Sequence, residues 1–262
     1  MLIRINGIKI DYRDTGAGLQ VIFVHAFPLN QTMWDDQLVA LQKVCRTITL
    51  DLRGFGRSDA PKDRYSMDRM ASDIRELMSA LDIDRAVLVG LSMGGYISLA
   101  FCRNYPDAVR ALVLADTRAS ADTQEARERR LKSAEKAERE GVHAIAEDMI
   151  PLLLGQPSLE RRPSVVERVR SMIEANSSRG VAGAQRGMAE RRDSTDLLAD
   201  LDLPALIIVG SEDTLTPVAE AEGLRRGIRG ARLQVIEDAG HLSNLEQPEE
   251  FNKRLIEFIG NL

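Results

Sequence analysis

A chain of 262 residues, 44% hydrophobic and 29% charged with both signs spread throughout, can bury a substantial core and is neither disordered nor fibrous in composition. Its net charge of −5 and isoelectric point near 5.4 offer no basic field for phosphates, and its few aromatics are not interleaved with Lys or Arg runs, so no nucleic-acid partner is expected. No uncharged run approaches the ~20 residues that span a bilayer, and the segment from Met1 to Gly7 lacks the parts of a secretory signal, so no membrane partner is expected and the expected location is cytoplasmic.

The opening residues alternate apolar and polar (Ile3, Ile5, then Ile8, Ile10, Tyr12) around Asn6-Gly7, a dipeptide that tolerates the positive φ of a tight turn, which predicts an antiparallel hairpin. After Gly16 and Gly18 come short, solidly apolar runs at 21–24, 47–50, 86–89, 111–114, 206–209 and 233–236, the pattern of strands buried on both faces. Helical periodicity separates them near 31–43, 67–81, 93–104, 217–227 and 248–260. Strand and helix therefore alternate as in a doubly wound, mostly parallel α/β sheet, whose functional groups gather at the carboxyl ends of the strands. The alternation breaks between about 118 and 200, where a charged helical stretch (125–140) precedes a more apolar one (145–154). This predicts a core of residues 1–117 and 201–262 with an inserted helical cap at 118–200. Cys45 enters an apolar run and Cys102 lies inside a helical one, and both are expected to be buried thiols in a reducing compartment.

The segment Gly90-Leu91-Ser92-Met93-Gly94-Gly95 follows one predicted strand and opens a helix, the context in which Gly-x-Ser-x-Gly marks a nucleophile. A serine at that junction sits on a sharp turn, and the flanking glycines let strand and helix approach. Serine is a weak nucleophile at neutral pH and needs an imidazole to take its proton. The chain has three histidines. His143 lies in the charged part of the insert, where a solvated role is expected. His25 ends a strand ahead of the nucleophile. His241, on the loop leaving the last buried strand, is the expected general base. The acid that orients it should lie on another strand-end loop; Asp213 in Gly210-Ser211-Glu212-Asp213 fits, with Asp116, at the end of the 111–114 strand, as the competitor.

Attack on a carbonyl builds charge on oxygen, and backbone amides aimed at it supply the stabilisation. The expected donors are the amide of Met93, at a helix N-terminus, and that of Phe27 in His25-Ala26-Phe27-Pro28. His25 and Trp34 are candidate pocket residues. His25 is expected chiefly to hold its loop by hydrogen bonding, and Trp34 suits an apolar pocket wall and helix-packing core equally well.

With these residues in place the chain resembles the α/β-hydrolase superfamily along nearly its whole length, and looks most similar to small bacterial carboxylesterases and 3-oxoadipate enol-lactonase-like hydrolases. The matching segments are His25-Ala26-Phe27-Pro28, Asp51-Leu52-Arg53-Gly54-Phe55-Gly56-Arg57-Ser58, Gly90 to Gly95, Gly210 to Asp213, and Gly240-His241-Leu242-Ser243-Asn244-Leu245-Glu246. Ala26 departs from the glycine usual in relatives, and its methyl group limits the freedom of the Phe27 amide. Serine at 92 is similar to esterases, lactonases and perhydrolases; haloalkane dehalogenases and epoxide hydrolases of this fold carry aspartate there.

The resemblance implies a serine carboxylesterase acting on a small-molecule ester through an acyl-enzyme, with Ser92, Asp213 and His241 catalytic. It needs no cofactor and no metal. Peroxide could replace water at deacylation. The alternative is an enol-lactonase-like hydrolase, in which cap arginines such as Arg161, Arg162, Arg191 or Arg192 bind a substrate carboxylate. Residues 118–193 hold 15 Lys/Arg against 13 Asp/Glu, so most of these charges are expected on a salt-bridged surface. A non-catalytic ligand-binding protein of the same fold is the remaining reading, and it would be favoured by a collapsed oxyanion loop or by Ser92, Asp213 and His241 side chains out of hydrogen-bond reach. No sequence feature specifies an oligomeric state.

Overall fold

In the computed structural model, which describes residues 1–63 and 65–262, the chain opens with the expected hairpin. β1 (Leu2–Ile5) and β2 (Ile8–Thr15) pair antiparallel about Asn6 (φ 45°) and Gly7 (φ 80°), with Ile5 opposite Ile8. Asn and Gly enter the left-handed region at least cost, so this dipeptide can turn the chain tightly.

The remaining strands are β3 (Gln20–Val24), β4 (Arg46–Leu50), β5 (Ala86–Leu91), β6 (Val109–Ala115), β7 (Ala205–Gly210) and β8 (Arg232–Ile236). They form a mostly parallel sheet in the order β1-β2-β4-β3-β5-β6-β7-β8, with β2 antiparallel to β4. The helices between them are α1 (Asp35–Leu41), α2 (Met67–Ala80) and α3 (Met93–Asn104). Between β6 and β7 run α4 (Gln124–Glu140), α5 (Val142–Leu153), α6 (Gln156–Arg161), α7 (Pro163–Glu174) and α8 (Ser178–Ala189). The chain ends through α9 (Val218–Gly227), α10 (Ser243–Glu246) and α11 (Pro248–Ile259).

Side chains alternate faces along each strand, so the sheet divides the core in two. Ile22, Val24, Leu88, Leu112 and Ile207 belong to one apolar cluster with α2 and α3, and Val21, Phe23, Val89, Val113 and Ile208 to the other with α1 and α11. The helices after β6 extend both: Ala134, Val181 and Met188 join the first cluster, and Ile150, Leu153 and Ile173 the second. α4 lies along α8. Cys45 and Cys102 are buried free thiols. Among the described residues, no helix is long and apolar enough to cross a membrane.

α8 meets the loop after β4 backbone to backbone. A Cβ on Gly180 would stand 1.7 Å from the carbonyl oxygen of Gly54, and one on Gly187 1.9 Å from that of Tyr65. Gly180→Ala is therefore expected to lever α8 away from the sheet domain and to cost about 1–3 kcal/mol, the usual range for overpacking. Urea unfolding reads this as a lowered midpoint; an unchanged midpoint would contradict the contact.

Candidate active site

β5 delivers Ser92 to the carboxyl edge of the sheet at φ 55° and ψ −112°, a conformation that non-glycine residues rarely adopt. The glycines around it permit this. A Cβ on Gly90 would lie 2.3 Å from the Gly94 carbonyl oxygen, and one on Gly94 2.1 Å from that of Val24, so strand, turn and helix are in backbone contact. The Ser92 N–H donates to Ala115 O (2.9 Å) and its carbonyl accepts from Thr117 Oγ1 (2.9 Å), which ties the turn to the end of β6.

His241 follows β8, and its Nε2 lies 2.7 Å from Ser92 Oγ. Its Nδ1 lies 2.8 Å from Asp213 Oδ2, on the loop after β7. With the carboxylate as acceptor, Nδ1 carries the proton and Nε2 is left to accept from the serine hydroxyl. Asp213 also accepts from Leu215 N (2.8 Å), Thr216 N (2.9 Å) and Thr216 Oγ1 (2.6 Å). Burial alone would raise its pKa, but His241 and these donors outweigh that and hold its carboxyl below the usual range. The acid, imidazole and serine are thus joined by one buried hydrogen-bonded chain that can carry a proton from Oγ to Nε2.

The competing carboxyl, Asp116, is fully buried but turned elsewhere. It accepts from Gly210 N (2.8 Å) and Ser243 Oγ (2.5 Å), bracing the ends of the loops that hold Asp213 and His241. Burial and then the neighbouring Asp213 push its pKa well above the ordinary carboxyl value. His143 is 72% exposed and pairs with Glu174 (2.7 Å), far from this chemistry in character as expected.

Among the described residues, the Phe27 and Met93 amides have no internal acceptor; Phe27 lines the cavity at Ser92, whereas Met93 is fully buried beneath it and is not on the wall. The Phe27–Pro28 bond is cis. His25 Nε2 accepts from Leu52 N (3.0 Å) and Nδ1 donates to Ala26 O (2.9 Å), and the ring stands edge-on to Phe55. Burial lowers its pKa to about 4, although the bond to Ala26 opposes the shift. This neutral imidazole is a loop brace. Neither His25 nor Trp34 lines the cavity at Ser92; Trp34 is fully buried against Phe23 (5.1 Å) and Phe251 (6.2 Å), where the second apolar cluster claims it.

That cavity holds about 410 Å³ and is bounded by Phe27, Ser92, Tyr96, Met149, Leu153, Met188, Leu215 and His241. The arginines on its wall are Arg118, Arg129 and Arg130; Arg161, Arg162, Arg191 and Arg192 are not on it. Arg118 and Arg130 pair with the buried Asp122 (2.9 and 2.5 Å), which Arg191 joins from behind (2.7 Å) while stacking over Tyr96 (4.1 Å). Three guanidiniums share the Asp122 carboxylate, and the cavity wall itself holds Arg118, Arg129 and Arg130 against Asp122 and Asp148. Of these groups only Arg191 stood out in the sequence, and Thr216 did not. The i,i+4 spacing of Arg118 and Asp122 was a signal, but it is common on any charged surface.

Burial works against ionised Asp122, but its arginines prevail and lower its pKa to about 2. A depressed folded pKa means stability that is present above the unfolded value near 4 and is lost as pH falls through 2. Asp122→Asn should therefore cost roughly 2 kcal/mol or more at pH 7, with the gap to wild type closing between about pH 4 and pH 2. Urea unfolding across that range measures it; a gap independent of pH would contradict the assignment.

Comparisons with known proteins agree with this architecture. A family model described as alpha/beta hydrolase fold matches residues 20–248. The structure of a thermophilic esterase from Thermogutta terrifontis, with malate bound, superposes with a TM-score of 0.96 at 44% identity, covering 99% of this chain and 96% of that one. The enol-lactonase from Burkholderia xenovorans gives a TM-score of 0.93 at 30% identity over 99% and 100% of the two chains. By sequence, 3-oxoadipate enol-lactonase 2 of Acinetobacter baylyi is 30% identical over 232 residues, 88% of this chain and 85% of its own.

Proposed function

The chain belongs to the α/β-hydrolase family, and we propose that it is a serine carboxylesterase that hydrolyses small carboxylic esters through an acyl-enzyme. The observation that carries this reading is the chain of contacts from Asp213 through His241 to Ser92 Oγ, at 2.8 and 2.7 Å. Its geometry meets the reach required of nucleophile, base and orienting acid. It also speaks against a non-catalytic binding protein, which groups out of hydrogen-bond reach would have favoured.

In the proposed reaction Ser92 Oγ bonds to the ester carbonyl carbon as its proton passes to His241 Nε2. The carbonyl oxygen, now negative, takes the Phe27 and Met93 N–H groups; a single aimed donor of this kind is worth about a hundred- to a thousandfold in rate. Collapse of the tetrahedral intermediate breaks the bond to the leaving oxygen, which takes the proton from His241 and departs as the alcohol. Water then loses a proton to His241, attacks the acyl carbon, and releases the acid while Ser92 regains its hydrogen. Asp213 stays ionised and stabilises the imidazolium in both halves. The helices after β6 act as a cap whose Met149, Leu153 and Met188 bound the acyl pocket.

A second reading is a lactone hydrolase for substrates bearing a carboxylate. It is favoured by the arginines on the cavity wall, where Arg129 has no carboxylate partner among the described residues, and by the enol-lactonase relatives. The two readings share one mechanism and differ in substrate.

Wild type is expected to turn over p-nitrophenyl acetate through octanoate with a maximum at a chain length the cavity accepts, and Ser92→Ala to lose at least about a thousandfold in kcat/KM. Turnover that is weak on neutral esters but strong on a lactone or half-ester bearing a carboxylate, and that falls in Arg129→Ala, would select the second reading. Ester hydrolysis unchanged in Ser92→Ala would remove both.

A further inference from the structure

The loops that carry the acid and the histidine do not stand on the sheet alone. Glu246, at the end of α10, is fully buried; its Oε1 accepts from Gly240 N (2.8 Å), the residue before His241, and its Oε2 accepts from Gly155 N (2.9 Å), the cap residue that opens α6. One side chain therefore bridges the histidine loop and the cap. The same cap turn is held a second time, where Gln156 N donates to Glu212 Oε2 (2.9 Å), beside Asp213. Arg162, at the end of α6, donates to the backbone carbonyl of Glu246. The Glu212 N–H in turn donates to Ala239 O (2.8 Å), joining the acid and histidine loops.

The contact between cap and loop is made by backbone. A Cβ on Gly240 would lie 2.3 Å from Gly155 N, and a Cβ on Gly155 would lie 2.9 Å from Gly240 N. Nothing soft separates the cap turn from the residue next to His241, so a shift of one is transmitted to the other. Asp213 and Thr216 constrain the imidazole ring, and the backbone that carries it is held between Gly210 at the end of β7, where a Cβ would lie 2.1 Å from Gly240 O, and the cap turn, which Glu246 ties to it.

We propose that Glu246 is a positioning residue: by clamping the Gly155 turn of the cap onto Gly240, it holds His241 at bonding distance from Ser92, so that proton transfer depends on the cap being seated. The proposal rests on the serine-esterase reading above. It makes the cap a part of the catalytic alignment as well as a wall of the pocket. A carboxylate suits the role because both of its oxygens accept; glutamine would turn an NH2 group towards one of the two N–H donors.

The test measures kcat and KM for a short-chain p-nitrophenyl ester, at a temperature where each variant is folded by circular dichroism. Ser92→Ala, Glu246→Gln, Gly155→Ala and the Glu246→Gln/Gly155→Ala double variant are compared, with Arg186→Ala, which breaks an exposed cap ion pair to Glu138, as control. Gly155 has φ −68°, so alanine is compatible with its backbone and acts by pressing on the clamp itself, its Cβ falling 2.9 Å from Gly240 N, 3.0 Å from Glu212 Oε2 and 3.3 Å from Glu246 Oε2. The expected result is that Glu246→Gln and Gly155→Ala each lose about ten- to a hundredfold in kcat, the scale of a misplacement near 1 Å, with KM within about twofold. The double variant should be little worse than the poorer single, because both break one coupling, and Arg186→Ala should match wild type. A residue that only stabilises the fold would lower the melting temperature and leave kcat alone. Wild-type kcat in both single variants beside a dead Ser92→Ala overturns the positioning role and leaves the esterase reading standing, as does a change confined to KM. Activity retained by Ser92→Ala overturns both. If Glu246→Gln does not fold, Gly155→Ala decides by the same criteria.

Discussion

Ser92 holds a backbone conformation that costs on the order of 1–3 kcal/mol, and the surrounding structure is arranged so that no other is available. Gly94 lies against the backbone of Val24, and Gly90 against that of Gly94, so α3 is pressed onto β3 and β5 with no side chain between. The end of β6 completes the clamp through Ala115 O and Thr117 Oγ1. Released from any of these contacts, the turn would relax and the hydroxyl would leave its place. The strain is thus maintained by the parallel register of the central strands, each buried on both faces.

Once β5 fixes Ser92, the neighbouring strands supply the rest in order of their position in the sheet. β3 ends in the loop with the free Phe27 amide, β6 in Asp116, β7 in the Asp213 loop and β8 in the His241 loop. The two buried carboxyls illustrate how environment divides labour between like groups. Asp213, given donors on both oxygens and the imidazole, is held below the usual carboxyl range; Asp116, buried beside it, is held well above. One can balance an imidazolium, and the other serves as a brace between Gly210 and Ser243.

The sheet was legible because its signals are local. Continuous apolar runs mark strands buried on both faces, Asn6-Gly7 marks the hairpin, and Gly90 to Gly94 marks a turn where only glycine fits. The contacts among Ser92, Asp213 and His241 could be anticipated because strand-end loops converge on one edge whatever their separation in sequence. Position favoured Asp213 but left Asp116 as a competitor, since both end strands; what separates them is which carboxyl meets Nδ1. Trp34 was ambiguous for a related reason, because an indole suits a pocket wall and a core equally until Phe23 and Phe251 are seen to enclose it. The later helices between β6 and β7 were harder still. α6 has only six residues with Pro157 in its first turn, α7 starts at Pro163 directly behind it, and α8 carries Gly180, Gly183 and Gly187, which lower helix propensity while allowing close approach to Gly54 and Tyr65. The Asp122 cluster and the Glu246 bridge each mix near and distant partners: Arg118 and Gly240 lie close in sequence, at spacings common on any charged surface or loop, but Arg191 and Gly155 are brought in from far along the chain.

The central claim is that Ser92 is the nucleophile of a covalent mechanism, and trapping tests it most directly. The protein is incubated with diethyl p-nitrophenyl phosphate, whose phosphorus is attacked by an activated serine and whose diethylphosphoryl ester hydrolyses slowly. Intact-mass measurement should then find one adduct per chain, peptide mapping should place it on Ser92, and loss of ester hydrolysis should track the labelled fraction. An unlabelled chain, or a label elsewhere with hydrolysis undiminished, would contradict the account.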